Sequence, residues 1–465
     1  MLFSSIFFLC IFLPVTLILY YVLPWKFKNF LLLLVSLIFY AWGEPVYVLL
    51  MMFSIVFNYF AGIMIGDMKK MRLAGRCKFT FIFTVAVNIA ILGFFKYFSW
   101  LFGDVLQISS VKSIALPIGI SFYTFQILSY VIDVYWGNVN VQMNIIDFGA
   151  YITMFPQLIA GPIVRYEDIE RQLKRRTLSF NKFADGAMWF IKGLAKKVLL
   201  ANNIGAMFDT VMAIDASERA VFTTWLAMLA YTFQIYFDFS GYSDMAIGLG
   251  KMLGFEFVQN FDHPYLSTSA TEFWRRWHIS LGTWFREYVY IPLGGNRCSK
   301  AKHVRNILIV WLLTGLWHGA AWNFVLWGLY YGLLLLVEKY WLSKILDRLP
   351  GFFRHLYGMV VITFGWCLFC AADMDQLAAT ICSGVGALGN AFIDSGSFYY
   401  LTTNLILIIV CVLCSTPLVK NVFERICRWK KWGTAAGTVI FCLLFIMSVA
   451  YLVNATYNPF LYFRF

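Results

Sequence analysis

Long apolar runs dominate this chain, and short polar stretches that carry most of its charge separate them. The runs are close to the roughly 20 residues that a helix needs to cross a bilayer. They are apolar on both faces that a strand would present, which excludes a barrel of alternating strands. The pattern therefore predicts an all-α polytopic membrane protein with about 11–12 transmembrane helices plus re-entrant or interfacial helices. The predicted apolar segments are residues 2–23, 29–42, 46–66, 79–102, 114–136, 187–212, 220–250, 306–337, 355–372, 399–418 and 436–454.

Three stretches do not have the pattern of simple spans. Residues 306–337 exceed one crossing, are interrupted at Gly319–Asn323 and are flanked by basic loops, which predicts two short or broken helices. Residues 148–162 are too short to cross and end in a Gly-Pro breaker, which is typical of a re-entrant element. Residues 255–305 are amphipathic and predict a funnel segment on the cytoplasmic side. No internal repeat is visible, so residues 1–465 are predicted to form a single membrane domain.

Composition agrees with a membrane protein, since 61% of the residues are hydrophobic and only 13% are charged. A net charge of +13 would favour a nucleic-acid partner in a soluble protein, but here the basic residues occupy short loops between apolar runs. That distribution predicts cytoplasmic loops and no nucleic-acid partner, with the amino terminus outside and residues 1–23 retained as a first span. The predicted cytoplasmic clusters are Lys26 with Lys28, and residues 69–78, 165–182, 275–305, 339–354 and 420–431.

Two cysteine pairs have the C-x-x-C spacing, Cys367 with Cys370 and Cys411 with Cys414. Both pairs lie in apolar runs without a histidine or carboxylate cluster nearby. The spacing therefore favours packing of small hydrophobic side chains over a metal site, and we predict no metal and no bound cofactor.

His318 is the deepest of the five histidines, inside the apolar run Trp311–Trp322. A charged group at the bilayer centre costs roughly 3 kcal/mol or more, which makes an ionisable residue there a functional hypothesis. Gly315 and Gly319 flank it at helical spacing, and Gly328 and Gly332 repeat that spacing, so a second helix is expected to approach closely. Apolar surroundings would keep the imidazole neutral, the state that a general base needs. The alternative is a packing histidine bonded to a backbone carbonyl.

His278 is the second candidate, within the aromatic-basic stretch Phe273–Leu281. On a continuous helix it would share an aromatic face with Trp274, while Arg276 lies on the adjacent polar stripe. Such a helix would line a funnel whose Arg275 and Arg276 attract an anionic donor. The alternative is an interfacial anchor helix whose basic residues contact lipid phosphates.

Polar residues inside two further apolar segments suggest that those segments face a cavity. Asp238 and Asp244 lie in one of them, and Gln126 lies among aromatic residues in another. Buried carboxylates and amides are expected to face protein or a water-filled cavity. Hydrogen bonding between helices is the alternative.

Several motifs together resemble the membrane-bound O-acyltransferase family, and specifically its bacterial alginate O-acetyltransferase-like branch. The resemblance runs nearly from end to end. Its motifs are Phe155–Arg165, Gln234–Asp244, Phe273–Leu281, Tyr290–Arg297, Leu316–Gly319 and Asn458–Phe465. Members of the family often have Phe-Arg-Ala where this chain has Phe369-Cys370-Ala371, so no role of that arginine carries over.

The resemblance implies a helical enzyme with a cytoplasmic funnel and a narrow tunnel. His318 corresponds to the catalytic histidine and His278 to a second histidine at the cytoplasmic mouth. An acetyl group from acetyl-coenzyme A or another acyl thioester, carried by coenzyme A or an acyl carrier protein, is expected to pass outward. An extracytoplasmic SGNH-hydrolase-like partner would then place it on a polysaccharide. The implied location is the inner membrane of a bacterium. The residues predicted to line the tunnel or bind substrate are Trp274, Arg275, Arg276, Trp277, Trp317, Asn323, Gln126, Asp238 and Asp244.

Two other functions stay open from the residues. A D-alanyl transfer protein of the same family shares the histidine pair, and the stretch Ile291–Arg297 favours the acetyl branch over it. A transporter or flippase would also carry polar residues in its spans, but it usually shows repeated halves and needs no lone tunnel histidine. The acceptor polymer is not named by the sequence, and alginate, peptidoglycan, cellulose and secondary wall polymers are all compatible with it.

Overall fold

The computed structural model describes residues 1–108, 114–428, 433–454, 457–459 and 461. Two sequence features lie partly outside the described residues. The basic stretch 420–431 is described only to residue 428, and Asn458, Pro459 and Leu461 are the described part of the closing motif.

The described chain is helical, as the apolar pattern predicts. Within these residues no β-strand forms, and the extended pairing present is an isolated antiparallel bridge between Phe261 and Trp277. Helices satisfy their backbone hydrogen bonds internally, which an apolar surrounding demands. The α-helices are α1 (Leu13–Val22), α2 (Lys28–Ala41), α3 (Tyr47–Lys70), α4 (Ala74–Ser99), α5 (Ile120–Trp136), α6 (Ile145–Thr153), α7 (Phe155–Leu158), α8 (Tyr166–Lys174), α9 (Phe180–Ala195), α10 (Asn202–Met212), α11 (Val221–Met252), α12 (Ala270–Arg276), α13 (Ile279–Phe285), α14 (Lys300–His318), α15 (Trp322–Val337), α16 (Ser343–Leu346), α17 (Gly351–Cys370), α18 (Met374–Gly384), α19 (Ser395–Cys414), α20 (Leu418–Cys427) and α21 (Gly433–Asn454). Short 3-10 or π-helical turns occupy Phe8–Phe12, Trp25–Phe27, Trp100–Val105, Lys196–Ala201, Pro264–Leu266, Arg286–Tyr290 and Glu338–Leu342.

Several helices have the length and apolar composition of membrane spans. Among the described residues five helices meet both requirements, and Phe8–Val22 is a shorter apolar helix. They confirm a multi-pass membrane protein. The count of about 11–12 crossings stays a prediction, because the other apolar helices are shorter or less apolar than a simple span. The five are Tyr47–Lys70, Ala74–Val105, Gly351–Cys370, Ser395–Cys414 and Gly433–Asn454.

The three unusual stretches each break where the sequence contains breakers or polar residues. Residues 306–337 divide into α14 and α15, with Gly319–Ala321 between them, as predicted. Residues 148–162 contain most of α6 and all of α7, both too short to cross, and their re-entrant placement stays a prediction. Residues 255–299 hold only short helices joined by irregular backbone, and residues 300–305 begin the long helix α14.

The chain divides into two compact units, residues 1–190 with 243–259, and residues 191–242 with 260–465. Whether these units are one domain, as the sequence predicts, stays a prediction. In the first unit α2 packs on α6, and α3 packs on α4 and α5. Gly62 on α3 permits the contact with α5, since a Cβ there would lie 2.6 Å from the hydroxyl of Tyr130.

In the second unit α14 and α15 form a tight hairpin, and α15 also packs on α17. A Cβ at Gly315 would lie 2.3 Å from the carbonyl oxygen of Phe324, and one at Gly328 would lie 2.5 Å from that of Trp311. Backbone cannot move aside as a flexible side chain can, so only glycine allows this spacing. The close approach predicted around His318 therefore occurs, and its partner is the next helix in the chain.

Candidate active site

His318 is the last residue of α14, and its side chain is buried. Its ring packs edge to face against Trp327 and Phe369, with ring centroids 5.1 Å apart in both cases. α14 begins in the basic stretch at Lys300, and its 18 steps of about 1.5 Å each place His318 about 27 Å further along the helix axis. The histidine thus lies far from the basic end of its own helix, in an aromatic environment.

A small cavity of about 20 Å³ adjoins the His318 ring. That volume is enough for a water molecule but not for a substrate in the present conformation. A reacting group must therefore widen the space or replace side chains that now fill it. The cavity is lined by Ile235, Asp238, Phe239, Trp277, His318, Trp327, Trp366, Phe369 and Leu461.

The structure corrects the expectation of a continuous helix through His278. α12 ends at Arg276, and His278 adopts a left-handed backbone conformation with φ of 47° before α13 begins. The chain near Asn260 causes the break, because the backbone N–H of Ile279 donates to the Asn260 carbonyl and Phe261 pairs with Trp277. The shared face of Trp274 and His278 therefore does not exist.

Asn260 also determines which nitrogen of the His278 ring carries the proton. The His278 Nδ1 lies 3.1 Å from Asn260 Oδ1, which accepts hydrogen bonds from the backbone N–H and hydroxyl of Ser280 as well. An amide oxygen only accepts, so Nδ1 carries the proton and Nε2 presents its lone pair. Among the described residues Nε2 is buried without a hydrogen-bond partner. Burial lowers the pKa of His278 to about 3, so the ring is neutral at cytosolic pH.

Trp317 links the two histidines. Its ring centroid lies 5.0 Å from that of His318 and 6.0 Å from that of His278. The predicted histidine pair is therefore brought together around one indole, although the residues are 40 positions apart in the sequence.

Asp238 lines the cavity as part of a buried ion pair. Its Oδ1 lies 2.6 Å from the Nζ of Lys197, and both side chains are only 3% exposed. Lys197 also donates to the carbonyl of Pro459, and the N–H of Leu461 donates to Asp238 Oδ2 over 2.9 Å. We call this arrangement the tail clasp: Lys197 and Asp238 together hold the backbone of residues 459 and 461 so that Leu461 forms one wall of the cavity.

Two further contacts hold the same stretch of chain. Asn202 donates to Asn458 over 3.2 Å, and the hydroxyl of Tyr457 donates to Asp209 over 2.5 Å. The described residues 457–459 and 461 are thus anchored at several positions.

The predicted residues of the segment 255–305 have separate positions. Trp277 lines the cavity. Trp274 does not, and packs instead against Trp311, Trp327, Tyr331 and Trp366. Arg276 is engaged by Glu272 and Asp262, whereas Arg275 is exposed and forms no ion pair with the described residues. Of the two arginines, Arg275 is therefore the one whose charge no carboxylate of the described residues pairs with.

The other predicted residues also differ in position. Asn323 donates to the carbonyls of Phe369 and Ala371, so it holds the end of α17 and does not line the cavity. Gln126 and Asp244 are buried in the first unit. The side-chain amide of Gln126 has no hydrogen-bond partner among the described residues.

Sequence reasoning missed Lys197, Asn260 and Leu461. Lys197 offered a signal, since it is a lysine inside the predicted apolar segment 187–212. Asn260 lies in irregular chain and Leu461 is one leucine among many, so neither residue was distinguishable from its neighbours.

A second, larger cavity of about 260 Å³ lies near the end of α17. Cys367 and Cys370 line it, while Trp366 and Phe369 of the same helix line the cavity at His318. Its polar lining residues are Asp209, Gln376 and Thr380. All ten cysteines are free, and among the described residues no cluster of three or more histidine, cysteine or acidic side chains could hold a metal ion.

Comparison with known proteins identifies what the chain is similar to. Residues 140–374 match the model of the membrane-bound O-acyltransferase family. The chain is 43% identical to a "Probable alginate O-acetylase" of Azotobacter vinelandii over 386 residues, which are 81% of this chain and 76% of that protein. It is 34% identical to a "Peptidoglycan O-acetyltransferase" of Helicobacter pylori, over 84% of this chain and 80% of that protein. A "Teichoic acid D-alanyltransferase" of Streptococcus thermophilus is 28% identical, over 51% of this chain and 60% of that protein.

Proposed function

Because the chain belongs to the membrane-bound O-acyltransferase family and is therefore a multi-pass membrane acyltransferase, we propose that it O-acetylates a cell-surface polysaccharide with acetyl groups from a cytoplasmic thioester. The observation that carries the proposal is His318, a buried histidine whose ring adjoins a cavity. The relatives named for O-acetylation are 34% and 43% identical over more than four fifths of this chain. The D-alanyltransferase relative is 28% identical over about half of it, which is why acetyl transfer is favoured.

In the proposed reaction His318 acts as the general base. A hydroxyl oxygen attacks the thioester carbonyl while His318 removes its proton, the carbon–sulfur bond breaks, and the proton passes to the leaving thiolate. The products are an acetyl ester and a free thiol. General base catalysis of this kind contributes about 10² to 10⁴-fold. His278, which burial keeps neutral and whose Nδ1 donates to Asn260, offers Nε2 as a second acceptor beside Trp317.

The donor approaches from the basic side of the second unit. α14 begins with Lys300, Lys302 and Arg305, and Arg275 is exposed on α12. Acyl thioesters of coenzyme A or an acyl carrier protein carry phosphate groups, which such charges attract.

The acceptor hydroxyl approaches from the opposite end. α17 has the length and composition to cross the membrane, and it begins in the basic stretch 339–354. Its last turn then lies on the extracytoplasmic side, where the cavity of about 260 Å³ presents Asp209, Gln376 and Thr380. The acceptor is a polysaccharide or the serine of an SGNH-hydrolase-like partner outside the inner membrane of a bacterium.

The test is His318→Ala, with His355→Ala as the matched control. Cells that lack the native gene are complemented with each variant, and surface glycans are analysed by mass spectrometry for O-acetyl groups. We expect the His318 variant to lose O-acetylation by at least about 10²-fold at unchanged protein level. The control should retain it, because His355 does not line the cavity. Normal acetylation in the His318 variant would refute the base assignment, and a different acyl group on the glycans would refute acetyl transfer.

A further inference from the structure

Two buried basic residues in the first unit have no acidic partner among the described residues. Arg176 is 9% exposed and Lys28 is 5% exposed. Neither forms an ion pair with a carboxylate in the described part of the chain: Asp147 accepts instead from the side-chain amide of Asn29, and Glu256 pairs with Lys182. Buried charges in proteins are ordinarily paired, so this cluster calls for an anion.

The Arg176 guanidinium is held in a box of aromatic rings, and one of its three nitrogens has no acceptor among the described residues. Its centre lies 4.3 Å from the Phe255 ring centroid, 5.0 Å from that of Trp25 and 5.7 Å from that of Tyr20. Nε donates to the Tyr20 hydroxyl over 2.8 Å, and Nη1 donates to the carbonyls of Gln172 and Leu173. Within the described residues, Nη2 is buried without a hydrogen-bond partner.

Lys28 lies beside the same box. Its Nζ donates to the backbone carbonyl of Tyr20 and sits 4.5 Å from the centre of that ring. Burial, and then the positive charge of Arg176, lower the pKa of Lys28. A negative charge between the two groups would relieve both effects and supply the acceptor that Nη2 lacks.

The surroundings of the cluster are those of a membrane interface. Trp25 is 43% exposed in the turn between α1 and α2, and Tyr21, Phe27 and Phe30 are exposed beside it. Aromatic and basic residues together at the ends of apolar helices are typical of the headgroup region. Of the three rings around the guanidinium only Trp25 is exposed, so its movement would open the site toward lipid.

We propose that Arg176 and Lys28 bind the phosphate of an anionic phospholipid headgroup at the cytoplasmic surface. Arg176 contributes the two N–H groups of Nη2 as charge-assisted donors to a phosphate oxygen, Lys28 contributes a second charge, and the exposed aromatic side chains contact the acyl chains. The proposal does not depend on acyl transfer.

The full-length protein, purified in a mild detergent, is tested by native mass spectrometry with phosphatidylglycerol or phosphatidylcholine. We expect the wild type to retain phosphatidylglycerol about tenfold more than phosphatidylcholine. Arg176→Gln and Lys28→Gln should abolish that preference. Arg175→Gln, which removes a neighbouring exposed charge, is the matched control and should keep it.

A conservative variant and a competing anion test the lipid site further. Arg176→Lys preserves the buried charge but removes the Nη2 donors, so it should fold and still bind several-fold less phosphatidylglycerol. Inorganic phosphate should neither displace the lipid nor raise the melting temperature as the lipid does. An unchanged preference in the Arg176 and Lys28 variants, an equal loss in the Arg175 variant, or displacement by inorganic phosphate would overturn the lipid site.

Discussion

Substitutions in the tail clasp should affect two properties that can be measured separately: the free energy of unfolding, and the acyl-transfer rate that depends on the position of Leu461 beside the cavity. The perturbation is Lys197→Met, Asp238→Asn and the double variant. In the native protein the two side chains are 2.6 Å apart, each 3% exposed, and together they bind the backbone of residues 459 and 461. Either single substitution removes one member of this ion pair and leaves the other charge buried.

The structure gives the expected magnitudes. Removing one partner of a buried pair costs about 3–5 kcal/mol, so each single variant should be strongly destabilised. The double variant contains no buried charge at this position, and the amide introduced by Asp238→Asn still offers an oxygen to the N–H of Leu461. What it loses is the donor to the carbonyl of Pro459, a cost of about 1–3 kcal/mol. The double variant should therefore be more stable than either single variant.

The assay has two readouts on the purified protein. Reversible unfolding by denaturant in detergent measures the free energy of unfolding for the four proteins, and the double-mutant cycle gives the coupling energy. Acyl transfer is measured in proteoliposomes with a thioester donor. We expect the double variant to fold but to transfer at least about tenfold more slowly, because Leu461 no longer forms a fixed wall of the cavity.

The control is a surface pair. Arg286 and Glu287 are 66% and 29% exposed, and Arg286→Met should cost less than about 1 kcal/mol. If the losses in unfolding free energy of the two single variants simply add in the double variant, Lys197 and Asp238 do not stabilise the fold as a charge pair. Wild-type transfer rates in a folded double variant would refute the role of the clasp at the cavity.

Three further predictions concern the rest of the site. Asn260→Asp places a carboxylate on His278 Nδ1 and should raise the His278 pKa from about 3. The rate of acyl transfer should not depend on this group above about pH 5 in the wild type, but in the variant it should fall as the pH drops through the new pKa. A pH–rate profile identical to that of the wild type would contradict this expectation. Arg275→Glu should raise the apparent KM for the donor several-fold, whereas Arg276→Gln should mainly lower the melting temperature, since Arg276 is already paired. Equal KM values for the wild type and the Arg275 variant would favour the alternative that this segment is a lipid anchor. Gly315→Ala should lower the free energy of unfolding by about 1–3 kcal/mol in denaturant, because the new Cβ would lie 2.3 Å from a carbonyl oxygen. An unchanged free energy of unfolding would show that α14 and α15 can move apart without cost.

The sequence by itself determined the class of the fold and the location of its central histidine. Apolar runs near the length of a bilayer crossing require helices, and this requirement is local, so it can be read from composition and period. The break at Gly319–Ala321 and the close approach at Gly315 and Gly328 follow equally from local residue type. The motifs around His318 identified the family, which the comparisons confirm.

Only the tertiary structure decided how the histidines are held and what surrounds the cavity. His278 was predicted within a helix, but hydrogen bonds from a segment 18 residues earlier place it in a left-handed turn. Asp238 was predicted to face a cavity, but its partner Lys197 and the N–H of Leu461, 223 residues away, come from distant parts of the chain. Helical periodicity reports which residues share a face, whereas contacts between residues so far apart depend on how the helices pack, which no local pattern encodes.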